Sequence, residues 1–148
     1  KDFTEYPADC AMALEAEDMS NVRVESGELE RQTAFGDLWS AGMQLFWHDC
    51  NAGSKLTANF ESTIGGTYKL TAQFAIAPDY GTVNVKINGK TVASNLNLYN
   101  EEVATRKVDL GEVTLNEGSN TFEVEMVALS PGYPRGFFGI DLLLFYEP

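Results

Sequence analysis

The stretch 137-FFGIDLLLFY-146 carries one charged residue, Asp141, in an otherwise apolar run. Side chains alternate between faces along a strand, so a run this apolar is covered on both faces. It reads as a central strand of a layered fold. Asp141 is then a carboxylate in an apolar setting, which is costly without a partner. What satisfies it is the first functional question the sequence raises.

Outward from this strand, a period of two dominates. Tyr68, Leu70, Ala72, Phe74 and Ile76 alternate with Lys69, Thr71 and Gln73. Leu56, Ala58 and Phe60 do the same just before, and Gly65-Gly66 marks the turn between them. Val83, Val85 and Ile87 run into Asn88-Gly89, a strong short hairpin signal, and Thr91 and Val92 return. Phe122, Val124, Met126 and Ala128 alternate with Glu123 and Glu125 after the turn 116-NEGSN-120. No long helix is expected, although 11-AMALEAEDM-19 tolerates one. The 148 residues suit a single domain spanning 1–148. Short strands with turns between them predict an all-β, antiparallel two-sheet β-sandwich. Lys1 to Asp9 read as a mature terminus.

The net charge is −12, with ten Lys and Arg against 22 Asp and Glu. A phosphate backbone is repelled, so nucleic acid is excluded as a partner. No apolar run is long enough for a membrane span. Residues 1–31 hold nine acids and three bases. There 14-LEAEDM-19 reads as a short strand with Glu15 and Glu17 on one face. Like charges so placed repel. A divalent cation held by Glu15, Glu17 and Asp141 removes that repulsion and satisfies Asp141. A solvated acidic edge is the plainer alternative.

Cys10 and Cys50 are the two cysteines. Paired, they close a loop of about 40 residues, worth about 4 kcal/mol. The expectation is a disulfide, with two free buried thiols as the alternative. The lone His48, in 46-FWHDCN-51, reads as a surface residue rather than a catalyst.

These ends and their order resemble the carbohydrate-binding modules of families six and thirty-five. The matching pieces are 15-EAE-17, 39-WSAGMQLFW-47, 67-TYKLTAQFA-75, 83-VNVKINGK-90, 115-LNEGSNTFEVE-125 and 139-GIDLLLF-145. The resemblance implies a jelly-roll β-sandwich with a structural calcium (Ca2+) on Glu15, Glu17 and Asp141. It implies a non-catalytic module that binds a glycan or polysaccharide. Such modules sit beside neighbouring domains in a larger bacterial glycan-processing or surface protein, secreted to the extracellular space or cell surface. By region, it places the sugar site on loops carrying Asp37, Leu38 and Trp39, then Asn97, Tyr99 and Asn100, then Tyr133 and Arg135. Trp39, Tyr99, Asn100, Tyr133 and Arg135 are the ligand candidates. A core role for each aromatic is the competing reading. No nucleophile elbow or marked carboxylate pair points to an enzyme. The alternative function is a structural or protein-interaction sandwich that binds no sugar.

Overall fold

A computed structural model of the protein describes residues 6–148, so the first five residues of the expected 1–148 domain, and most of the Lys1–Asp9 terminus, lie outside it. Eleven strands build two sheets. They are β1 (Met12–Glu15), β2 (Ser20–Val24), β3 (Glu28–Gln32), β4 (Gln44–Cys50), β5 (Lys55–Ser62), β6 (Gly66–Ile76), β7 (Thr82–Ile87), β8 (Lys90–Asn97), β9 (Ala104–Leu115), β10 (Gly118–Ala128) and β11 (Gly136–Tyr146). One sheet runs β3-β4-β11-β6-β9, with β1 also on β11; the other runs β2-β5-β10-β7-β8. Every strand pairing is antiparallel. This is the two-sheet sandwich expected from the alternation.

The inner faces interdigitate. Phe60 of β5 stacks on Phe145 of β11 across the sandwich, centroids 6.3 Å apart, while Phe74 meets Phe138 edge-on at 6.0 Å within one sheet. All four are at most 2% exposed. Burying each such ring contributes about 2–3 kcal/mol. The β7–β8 turn is Asn88-Gly89, with φ of 50° and 81°. Both residues are left-handed, which the short hairpin needs and which this pair supplies at little cost.

As its composition required, β11 is central, and its register positions the site. On one side β4 pairs with Gly136–Ile140 and β1 pairs with Leu142–Phe145. On the other side the β6 register slips between Ile140 and Leu142. Asp141 therefore sits at a bulge, opposite the gap between two successive edge partners. A bulge re-aims its side chain out of the regular alternation. Asp141 is fully buried and is accommodated through polar partners, Ser40 and Gln73, rather than through solvent.

Two expectations are corrected here. Glu17 is not on a strand: β1 stops at Glu15, and Ala16–Asp18 form a single 3-10 turn. Arg31 fixes this turn from β3, its Nε donating to Glu17 O at 2.8 Å and its Nη2 to Met19 O at 3.3 Å. Cys10 and Cys50 are not bridged; both are free thiols. Cys50 lies beside Gly136, where β11 begins, whereas Ala11 N–H bonds Phe145 O near the other end of β11. Nine residues of strand, roughly 30 Å, separate the two ends. A disulfide needs Cα atoms within about 7 Å.

Candidate functional site

Two sites emerge. The first is the carboxylate cluster. Glu15, Glu17 and Asp141 are 8%, 7% and 0% exposed, and one oxygen from each lies within 4.8 Å of the others. In Asp141 and Glu15 one carboxylate oxygen is positioned by neighbours. Asp141 Oδ2 accepts from Ser40 N–H at 2.9 Å and from Gln73 Nε2 at 2.7 Å. Glu15 Oε2 accepts from Ser40 Oγ–H at 2.5 Å and from the Tyr6 hydroxyl at 2.6 Å. The remaining oxygens, Glu15 Oε1, Glu17 Oε1 and Asp141 Oδ1, are buried with no hydrogen-bond partner.

Three buried carboxylate oxygens without partners, on side chains this close together, are expensive in a protein interior. The cost appears in the ionisation. Burial, with Glu15, Asp18 and Asp141 nearby, pushes the Glu17 carboxyl up to about 8. Burial and the Glu15 charge push Asp141 up to about 6, against the opposing hydrogen bonds from Ser40 and Gln73. The donor set is all oxygen and carries formal charge of up to −3, which suits a hard divalent cation rather than zinc or copper. The structure brings Glu15, Glu17 and Asp141 together, and they are the residues that would hold such a cation. Sequence reasoning missed Ser40, Gln73 and Tyr6. Their roles come from contacts across 25, 68 and 9 residues, for which no local pattern exists.

The second site is a pocket of about 510 Å3 at the end of the sandwich, built by the β6–β7, β8–β9 and β10–β11 connections. Tyr99 and Tyr133 reach it from two different loops and are 51% and 41% exposed. Asn97, Thr82, Ser130, Leu129 and Pro131 complete its walls, and no charged residue lines it. Its loops are firmly held. Ser130 Oγ donates to Pro78 O at 2.7 Å, Tyr133 N–H to Ser130 O at 3.1 Å, and Tyr99 N–H to Asn97 Oδ1 at 2.9 Å. Tyr80 lies at the pocket base, 5% exposed, accepting from Gln44 Nε2 at 3.2 Å.

The sequence-derived ligand set thus divides. Tyr99 and Tyr133 come together. Asn100 does not line the pocket; its amide spans to Glu102 O at 2.7 Å and shapes the turn. Arg135 is exposed outside the lining, donating to Pro134 O. Trp39 is 5% exposed, with its indole N–H on Ala34 O at 2.7 Å, so it is a packed residue and offers no open ring face. It directly precedes Ser40, which bonds two of the clustered carboxylates. His48 lies within β4, stacked on Phe46 at 5.1 Å and paired with Asp49 at 2.6 Å.

No protein-family model matches this chain, and no curated protein matches it in sequence. Solved structures do share its shape. The xanthan lyase of Paenibacillus superposes with a TM-score of 0.73 at 15% identity, over 96% of this chain and 14% of that one. A family 35 carbohydrate-binding module from Clostridium thermocellum gives 0.59 at 17% identity, over 93% of this chain and 100% of the module. A β-(1,4)-mannanase from Podospora anserina, composed of a GH26 domain and a family 35 module, gives 0.54 at 18% identity, over 95% of this chain and 28% of that one. This chain is therefore similar in length to the isolated module and spans only a small part of either enzyme. It has the fold of a family 35 carbohydrate-binding module: the jelly-roll sandwich that the order of its sequence motifs implied.

Proposed function

We propose that this domain is a non-catalytic carbohydrate-binding module, with its glycan site in the Tyr99–Tyr133 pocket and a structural calcium on Glu15, Glu17 and Asp141. The observation that carries the reading is the convergence of two exposed tyrosines, from separate rigid loops, on one uncharged concavity. Sugar rings present C–H-rich faces to aromatic rings and hydroxyls to a few polar groups. Tyr99 and Tyr133 supply the first, and Asn97, Thr82 and Ser130 the second.

A binding role fits better than catalysis. Glycoside hydrolysis needs two carboxyl groups flanking the bond. No Asp, Glu or His lines this pocket. The buried carboxylates have no exposed oxygen among the three left unpaired. A calcium held there would supply two positive charges that offset most of the charge on the three carboxylates. It thereby ties the turn after β1, the Ser40 segment and the β11 bulge into one body. The module reading extends to an exported, multidomain protein in which this domain holds its neighbours close to a polysaccharide. The small share of the xanthan lyase and the mannanase that this fold occupies supports that extension.

A glycan and polysaccharide array, run with calcium and again with chelator, tests the proposal. Binding to a chemically coherent set of glycans is expected. A folded sample that binds none of them refutes the module reading and favours a structural or protein-interaction sandwich.

A further inference from the structure

The outer face of the sheet that holds β4 carries a row of aromatic rings centred on Phe46. The Phe46 ring stacks with His48 at 5.1 Å, Tyr80 at 6.1 Å and Phe137 at 6.3 Å, each within 25° of parallel. Near-parallel rings in contact at about 3.5 Å, with centroids this far apart, are displaced sideways by about 4–5 Å. Each ring therefore leaves much of its face uncovered by the next. Phe46, His48 and Phe137 are half-buried, so the row is only partly closed to solvent. Tyr80 also lines the tyrosine pocket and joins the row to it.

Acids border this row. In the β3–β4 register Glu28 stands opposite His48 and Glu30 opposite Phe46. Asp49 follows His48 and accepts from its ring at 2.6 Å, and Asp79 directly precedes Tyr80. The Glu30 and Asp49 side chains are 49% and 57% exposed. Burial and the nearby Asp49 charge push the Asp79 carboxyl up. Among the described residues, no lysine or arginine forms an ion pair with any of the four acids. Arg135, two residues before Phe137, donates to Pro134 O instead. Gln44 Oε1, on a side chain that is 0% exposed, has no partner. Its amide lies over Gly139, the cross-strand neighbour of Phe46, where a Cβ would collide with it. The face thus offers ring faces, four carboxylates and an orphaned acceptor, and it carries no permanent positive charge of its own.

We propose that this face binds a polycationic amino-sugar polymer, whose pyranose rings lie on the Phe46 row while their ammonium groups meet Glu28, Glu30, Asp49 and Asp79. The inference rests on the glycan-binding reading above and names a ligand class for it. Ammonium groups are attracted both by the faces of aromatic rings and by carboxylates. A neutral glycan gains no charge attraction from the four acids, and an acidic one is repelled by them. The chain's charge of −12 draws a polycation towards it. A folded protein partner needs about 800 Å2 on each side, more than a short row of half-buried rings supplies. Because Tyr80 belongs to both the row and the pocket, one glycan chain can engage the two, and its affinity then exceeds that of either.

Calorimetry near neutral pH with hexamers of β-1,4-linked glucosamine, N-acetylglucosamine and glucose tests this, because the three share a backbone and differ only at C2. The glucosamine hexamer should bind about tenfold or more tightly than the other two. Phe46→Ala should weaken it about tenfold or more, and so should Glu30→Gln combined with Asp49→Asn. The double variant guards against misfolding of Phe46→Ala: both its sites are exposed, and asparagine tolerates the left-handed backbone of Asp49, φ 59°. Equal affinity for the three hexamers overturns the amino-sugar assignment and leaves the tyrosine pocket standing. So does glucosamine binding that the double variant leaves unchanged, which is the signature of non-specific attraction to an acidic protein. A lysine hexapeptide that binds as tightly as the glucosamine hexamer, and loses affinity in the same variants, makes the face a dock for a basic protein segment and overturns the assignment too. Binding of no hexamer, and of no glycan on the array, overturns the glycan reading itself and this inference with it.

Discussion

Replacing Glu17 with glutamine should stabilise the cation-free protein and abolish its response to calcium. The side chain is 7% exposed and ionises near 8 in the folded state, against 4.5 ordinarily. That rise corresponds to about 5 kcal/mol between the two protonation states. At pH 7 the folded carboxyl still holds its proton while the unfolded one has released it. The folded state is then disfavoured by about 3 kcal/mol relative to an unperturbed group. Between pH 4.5 and 8 the folded state binds more protons than the unfolded one, so stability falls as pH rises through that window. Glutamine has the same shape and no charge to suppress. The gain of about 3 kcal/mol should raise the melting temperature by roughly 6–12 °C at pH 7 in chelator. Asp141, raised from 3.8 to about 6, should leave a residual decline in stability that ends near pH 6. Adding calcium should nearly close the gap. The parent gains about 2.7 kcal/mol at a hundredfold excess over its dissociation constant, and the variant gains little. Scanning fluorimetry from pH 4 to 9, with chelator and with calcium, reads both effects. A variant less stable than the parent in chelator, or an undiminished calcium response, would refute the assignment of Glu17 to the cluster.

Three further outcomes follow from the same geometry. Gly81→Ala should cost several kcal/mol, because its Cβ would fall 2.5 Å from both Ala128 O and Met126 Sδ, and backbone cannot easily give way; denaturant unfolding measures it. Alkylation without reductant should modify the partly exposed Cys10 rapidly and the buried Cys50, whose thiol burial pushes up to about 11, only on unfolding; recovery of neither thiol by mass spectrometry without reductant would restore the disulfide. Tyr99→Ala and Tyr133→Ala should each lower glycan affinity about tenfold or more, from the loss of about 1.5 kcal/mol of ring contact, with an unchanged melting temperature; calorimetry that finds parental affinity removes the pocket from the account.

The fold was legible wherever one face was buried and the other wet. Phe74 and Gln73 betray the sheet β6 belongs to, and Asn88-Gly89 betrays the hairpin after β7. The strands β2, β3 and β9 were not legible. The first two are short and largely exposed, and Gly111, at φ 76°, breaks the period of β9 with a register slip. Glu15, Glu17 and Asp141 stood out because charge in apolar surroundings demands a reason. Their association was readable from the rule that first and last strands pair, although the 3-10 turn carrying Glu17 was not. The disulfide failed because spacing in sequence carries no information on which end of a strand each cysteine occupies. Trp39 failed as a platform because an aromatic residue in a loop motif packs or projects according to contacts the motif does not encode. The exposure of Tyr133 was legible through turn chemistry: prolines and glycines at 130–136 leave it nowhere to pack.

The central claim is that the tyrosine pocket binds sugar. The most direct test is a backbone amide NMR titration of the labelled protein with the strongest glycan from the array. The account predicts shifts concentrated at residues 78–82, 97–100 and 129–133. Saturable binding with those amides unmoved, and shifts clustered on the outer face of either sheet instead, would contradict it.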